Sequence, residues 1–167
     1  MKKYIKLFSL VLVSILLLTG CSSTKEAISG DKFVEVANTF YYYPNDITSY
    51  YDYSETAKYY SDKDISMTFI VGKRAYDIEG VFLDEVKNVY EKSGYTVSES
   101  TTQAVINTTT LSAVKADITS GKNWQKVIIT NKNKFYCVSR IDDTYLEIEA
   151  DISQKDNLIK FLDALGY

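Results

Sequence analysis

The stretch VKADITSGKNWQKVIITNKNKFYCVSRIDDTYLEIEA, residues 114–150, decides the fold. Val114, Ala116 and Ile118 alternate with Lys115 and Asp117, Val127 and Ile129 flank a polar Lys126 side, and Leu146, Ile148 and Ala150 alternate with Glu147 and Glu149. A period of two that leaves one face apolar is the pattern of antiparallel strands packed on one side. Turn formers separate the runs: Ser120-Gly121-Lys122-Asn123, then Asn131-Lys132-Asn133, then Asp142-Asp143. The stretch therefore reads as a four-strand meander closed by short hairpins. Upstream, Ile65, Met67, Phe69 and Val71 alternate with Ser66, Thr68 and Ile70, and further strands are expected over 46–53 and 56–62.

Three helices flank these strands. Phe33, Val36, Ala37, Phe40 and Tyr41 recur at helical spacing, with Ser29 to Asp31 available as caps and Pro44 beyond the end. Ile78, Phe82, Val86 and Val89 form a second stripe, with Asp77 as the expected N-cap and Gly94 as the stop. A third opens near Ser153, carries Leu158, Ile159, Phe161, Leu162 and Leu165, and closes at Gly166. A one-sided amphipathic helix has to pack its stripe on something, and the sheet is available. The expectation is an α+β single domain: an antiparallel sheet of about five to seven strands, ending in a meander, covered by three amphipathic helices.

The N-terminus is an address. Lys2, Lys3 and Lys6 precede an apolar run, Leu7 to Leu18, broken by Ser9 and Ser14. That is the secretory layout of a charged region and a short apolar core, and a bilayer-spanning helix needs about 20 apolar residues. Leu18-Thr19-Gly20-Cys21 follows and resembles the lipobox of bacterial lipoproteins. The resemblance implies diacylglycerol on the Cys21 sulfur, cleavage between Gly20 and Cys21, and a fatty acylated, extracytoplasmic protein held at the cell membrane. The division expected is a signal peptide over 1–20, a lipidated flexible tether over 21–30 and one domain over 31–167.

Loss of the first twenty residues and their three lysines leaves 147 residues with 16 basic and 22 acidic side chains, a net charge of −6. An acidic domain lacks the basic footprint that nucleic acid requires, and has none of the basic clusters that would draw it onto anionic lipid. Arginine occurs only at Arg74 and Arg140, while lysine, tyrosine, isoleucine and asparagine abound, a bias of AT-rich genomes. With the lipobox, the Val138-Ser139-Arg140-Ile141-Asp142-Asp143-Thr144 strand pair and the closing Leu165-Gly166-Tyr167, the chain resembles the small uncharacterised lipoproteins of low-GC Gram-positive bacteria. In element order it is also similar to the PsbP-like α/β/α sandwich, a fold analogy that transfers no active site.

Several chemistries are excluded by composition. The chain has no histidine, so Ser-His-Asp and Cys-His catalysis and His-ligated zinc or haem are impossible. There is no P-loop, no G-x-G-x-x-G, no G-x-S-x-G and no C-x-x-C. No cofactor and no metal site is expected. Cys137, left alone once Cys21 carries lipid, reads as a small buried hydrophobe. Asp142, Asp143, Glu147, Glu149 and Asp151 crowd one hairpin, and Glu147, Glu149 and Asp151 share a face by strand alternation. They could serve as a calcium site or as an acid–base pair; the plainer reading is a solvated strand face, with Arg140 paired to Asp142.

Tyrosine is the unusual feature. Tyr41, Tyr42, Tyr43, Tyr50, Tyr51, Tyr53, Tyr59 and Tyr60 fall within twenty residues. A rigid apolar ring with a polar tip suits recognition surfaces and sugar stacking, so Tyr42, Tyr43, Tyr50, Tyr51, Tyr53, Tyr59 and Tyr60 are the candidate surface for an unknown protein or glycan partner. The plainer alternative is tyrosine standing in for Phe and Leu at the margin of a core. The sequence thus points to a binding module of the cell envelope, with a carboxylate-based glycan hydrolase using the 142–151 region, or an accessory subunit of a membrane complex, as the alternatives.

Overall fold

The computed structural model describes residues 23–94 and 115–167; Cys21, Val114 and the Ser/Thr-rich stretch 98–112 lie outside them. The alternation read from the sequence becomes a seven-stranded sheet in which every neighbouring pair is antiparallel. Its strands are β1 (Asn45–Asp46), β2 (Ser54–Ser61), β3 (Ile65–Gly72), β4 (Lys115–Ser120), β5 (Trp124–Thr130), β6 (Lys134–Ile141) and β7 (Thr144–Asp151). The order across the sheet is β1-β2-β3-β7-β6-β5-β4. The four C-terminal strands form the expected meander, and β7 closes against β3 rather than lying at an edge.

The helices are α1 (Gly30–Thr39), α2 (Ala75–Lys92) and α3 (Lys155–Leu165). Strand alternation sends side chains to opposite faces, and both faces of this sheet are covered. Phe69, Met67, Leu146, Ile148, Phe135 and Cys137 pack against α1 and α3 on one side. Ile70, Ala57, Tyr145, Val138, Val127 and Ile129 pack against α2 on the other. The result is an α+β domain of three layers, α1 and α3, then sheet, then α2. Among the described residues no helix is long and apolar enough to cross a membrane.

The helix ends follow local chemistry, with two departures from expectation. Ser29 caps α1, its Oγ accepting from Lys32 N at 3.2 Å. The stripe stops at Phe40, because Tyr41 adopts φ 64° and turns its ring to solvent. Asp77 is not the N-cap of α2. Arg74 holds that position, and Asp77 lies in the first turn accepting two hydrogen bonds from the Arg74 guanidinium at 2.9 Å each, where its charge also favours the helix dipole. A 3₁₀ turn over Ile152–Gln154, capped by Asp151 accepting from Ser153 N, leads into α3, and Gly166 ends it at φ 83°.

The strand expected over 46–53 is absent. Only Asn45–Asp46 pair with β2, and a 3₁₀ turn follows over Thr48–Tyr50. The cause is local side-chain bonding: Asp46 Oδ1 accepts from Thr48 N at 2.9 Å, and Thr48 Oγ1 accepts from Ala57 N at 2.9 Å, where a ladder carbonyl would stand. The segment expected to be a flexible tether runs against the domain from Ser23 to Ser29, with Ala27 and Ile28 packed on the α1–α3 core.

Aromatic packing sets the rigidity of that core. Phe33 of α1 stacks on Phe69 of β3 with centroids 4.4 Å apart, both fully buried, and Phe161 of α3 meets Phe33 edge-on. Phe33→Ala should therefore lose about 3–5 kcal/mol in urea denaturation, whereas Tyr50→Ala, at a ring 80 % exposed, should stay within about 0.5 kcal/mol of the parent.

Candidate functional site

The tyrosine-rich segment does not form one surface. Tyr42 is buried in the α1–α3 core, 5 % exposed, against Tyr60 and Phe161, and its hydroxyl accepts from Asn157 Nδ2 at 2.8 Å. Tyr60, on the same side, donates to Asp62 Oδ2 at 2.7 Å. Tyr43 and Tyr50 are exposed. Tyr59 falls on the opposite face of β2, its hydroxyl 3.4 Å from Ser66 Oγ. Tyr51 and Tyr53 are half-buried and meet edge to face at 5.6 Å beside α2. Alternation along β2 and the turn at 48–50 divide the cluster between two cores, solvent and one cavity.

That cavity, about 210 Å³, lies between α2 and the sheet and is walled by Tyr51, Tyr53, Val81, Glu85, Tyr145 and Glu147 among others. Its floor comes from β3 and β7, whose register sets Thr68 opposite Glu147. Its roof is α2. Glu85 lies seven residues beyond Ile78 and three beyond Phe82, so it projects from the apolar stripe toward the sheet.

Two carboxyls meet there. Burial and the nearby Glu85 carboxylate push Glu147 up to about 7 from its ordinary 4.5, against the opposing donation of Tyr145 Oη to Glu147 Oε2 at 3.1 Å. The Glu85 and Glu147 carboxyls line the same cavity. Glu85 Oε1 is buried, receives no hydrogen bond and is ion-paired with Lys92 Nζ at 3.6 Å. Asn88 Nδ2 donates to the outer Glu85 oxygen at 3.0 Å and fixes that side chain. Burial also raises the Tyr51 and Tyr53 hydroxyls, with Glu147 adding to the effect at Tyr51. The cavity therefore offers two ring walls, a phenol and two neighbouring carboxyls, of which Glu147 is the one held toward its protonated form.

Glu149, Asp151 and Asp142 of the 142–151 region have structural partners. Glu149 pairs with Lys134 at 3.1 Å and Lys92 at 3.7 Å, Asp151 caps the 3₁₀ turn, and Asp142 accepts from Asn123 Nδ2 at 2.7 Å. Arg140 does not pair with Asp142. It projects from β6 toward α2, donating to Gln125 Oε1 at 2.8 Å and lying 3.6 Å from Glu79, because Asp142 sits in the hairpin at φ 48° and faces Asn123. Among the described residues no group of three or more acids or cysteines is arranged to hold a metal ion. Cys137 is fully buried, and desolvation pushes its thiol up to about 12, so it is an inert core residue.

Sequence reading named Glu147 but not Glu85. The available signal was a charged residue on an apolar helical stripe. What it could not supply was the register that places β7 under that helix.

No family model matches the chain, and no curated protein matches it. A crystal structure of a GTP binding regulator from Thermotoga maritima is similar at 15 % identity and a TM-score of 0.39, with 86 % of this chain and 88 % of that one covered. At that TM-score the likeness carries no inference.

The carboxyl pair makes stability depend on pH. A carboxyl whose folded value is raised contributes stability present below its unfolded value near 4.5, and that contribution is lost as pH rises through about 7. Urea melts should show stability falling between pH 5 and 8. Glu147→Gln, which removes the charge and keeps the shape, should flatten that slope and gain about 2 kcal/mol at pH 8 after discounting for solvent access. A slope unchanged in Glu147→Gln would show that the Glu147 titration is not its source.

Proposed function

We propose that the chain is an extracytoplasmic lipoprotein, anchored to the cell membrane through diacylglycerol on Cys21, and that its domain is a binding module rather than an enzyme. The Tyr51–Tyr53–Glu85–Glu147 cavity is the observation that carries this reading. Ligand pockets for whole small molecules run from about 300 to 1,000 Å³, and this one holds about 210 Å³. It suits one group projecting from a larger partner: a sugar unit of an envelope glycan or a side chain of an envelope protein. Ring faces would take its apolar side and the carboxyls its hydroxyl or amino groups.

Two measurements test the two halves. Mass spectrometry of the mature N-terminus should show Cys21 acylated and first in the chain, and Cys21→Ala should be released into the medium; an unmodified, freely released wild type would remove the anchor. Partners that co-purify from detergent-solubilised membranes should be lost about tenfold or more with Tyr51→Ala and Tyr53→Ala, as for buried aromatic hot spots, and retained with Tyr43→Ala and Tyr50→Ala. The reverse pattern would move the site to the exposed rings.

A further inference from the structure

Residues 23–29 are bonded into the domain. Ser23 O accepts from Lys122 N at 2.9 Å and from Trp124 Nε1 at 3.2 Å. Lys25 and Asn123 exchange two bonds, Lys25 N donating to Asn123 Oδ1 at 3.0 Å and Asn123 Nδ2 donating to Lys25 O at 2.8 Å. Lys25 Nζ donates to Gly166 O at 2.7 Å and lies 4.6 Å from the centroid of the Trp124 ring. Ala27 and Ile28 then pack on the α1–α3 core, and Ser29 caps α1. Gly121 is part of the fit: a Cβ there would collide with Trp124 Nε1 and Ser23 O. Backbone hydrogen bonds, an amide clamp and the absence of one side chain all serve a single contact.

We propose that Ser23–Ser29 is a clamp that holds the domain in one orientation on the bilayer, with the β4–β5 turn seated on the lipid headgroups. This rests on lipidation of Cys21. From Ser23 to Cys21 the chain can span at most about 7 Å, whereas a disordered ten-residue tether would let the domain wander about 17 Å from its anchor. The 121–123 turn therefore cannot leave the headgroup region while the clamp is closed. Neighbouring turns come with it. Asp142 N donates to Asn123 O at 2.9 Å, and Gly72 N donates to Asp143 O at 2.8 Å, so the β6–β7 turn and the end of β3 share that end of the sheet. Exposed Lys122, Lys73, Arg74 and Tyr76 lie there beside the Asp142 and Asp143 carboxylates, Arg74 paired with Asp77 and over the Tyr76 ring at 4.8 Å. Cations and tyrosines are the side chains that settle at a headgroup interface. The 131–133 turn sits at the opposite end, beside Ile152, whose amide donates to Asn133 O at 2.9 Å.

The lipidated protein reconstituted in phosphatidylcholine–phosphatidylglycerol vesicles carrying a headgroup nitroxide tests this. Cysteines introduced as Lys122→Cys or Lys132→Cys take a fluorescent label cleanly, since Cys137 is buried and Cys21 is acylated. The label at 122 should be quenched several-fold more than the label at 132. Gly121→Ala should erase the difference, and Asn123→Ala, which adds no Cβ, should reduce it. Hydrogen exchange on the unlipidated domain gives an independent reading: the Lys25 and Lys122 amides should be protected, and lose that protection in both variants. Equal quenching at both sites in protein that floats with the vesicles overturns the orientation and leaves the anchor standing. Failure of Cys21-bearing protein to float overturns the anchor, and with it the seating on lipid, even if the amides stay protected.

Discussion

The pairing of β3 with β7 is the constraint on which the rest depends. It joins the N-terminal strands to the C-terminal meander, with Phe69 opposite Leu146 and Met67 opposite Ile148 at the centre. Both strands are covered on both faces over most of their length. A slip of one residue would therefore exchange Phe69 and Leu146 on one side for Thr68 and Glu147, placing a carboxyl in the α1–α3 core. The same register fixes where Glu147 and Tyr145 stand under α2. Core and cavity are thus two faces of one strand pair, and neither can be altered independently of it.

Much of this was legible in the sequence because the meander is local. Its turns are two to four residues of Gly, Asn and Asp, and each hairpin needs only its neighbour to be recognised. The three helical stripes were legible for the same reason. The 46–53 segment was misleading because its tyrosines satisfy strand composition while Asp46 and Thr48 supply backbone partners that no composition reveals. The tether was misread in a related way: Ser22 to Gly30 has the composition of a linker, and contacts with residues about a hundred or more positions away, among them Asn123, Trp124 and Gly166, hold Ser23 to Ser29 down.

The site divides along the same line. Tyr51, Tyr53 and Glu147 were visible as residue types, but their convergence depends on the long-range β3–β7 register and on α2 crossing above it. Tyr42 and Tyr60 show the other side of the ambiguity. A ring with a polar tip can be a recognition group or a core residue with one hydrogen bond, and here Asn157 and Asp62 supply that bond. Composition cannot separate the two cases because the difference lies in which partner reaches the hydroxyl.

The raised Glu147 carboxyl works against stability once it is charged, although Lys92 and Asn88 reach Glu85 and Tyr145 donates to Glu147. A glutamine at Glu147 would keep the shape and remove the charge. Groups that reduce stability concentrate at functional sites, which is why the cavity outweighs the more numerous exposed tyrosines as the proposed place of recognition. The proposed orientation would give that cavity a location. Lys73 N donates to Tyr53 O at 2.9 Å, so the tyrosine wall joins the end of β3 that, on the proposed seating, faces the lipid. A partner reaching Tyr51 and Tyr53 would then be met close to the membrane surface rather than at the far end of a mobile leash. On the proposed anchor the lipid would fix a point, the Ser23–Ser29 contacts would convert the point into an orientation, and the orientation would set the height at which the two carboxyls are presented.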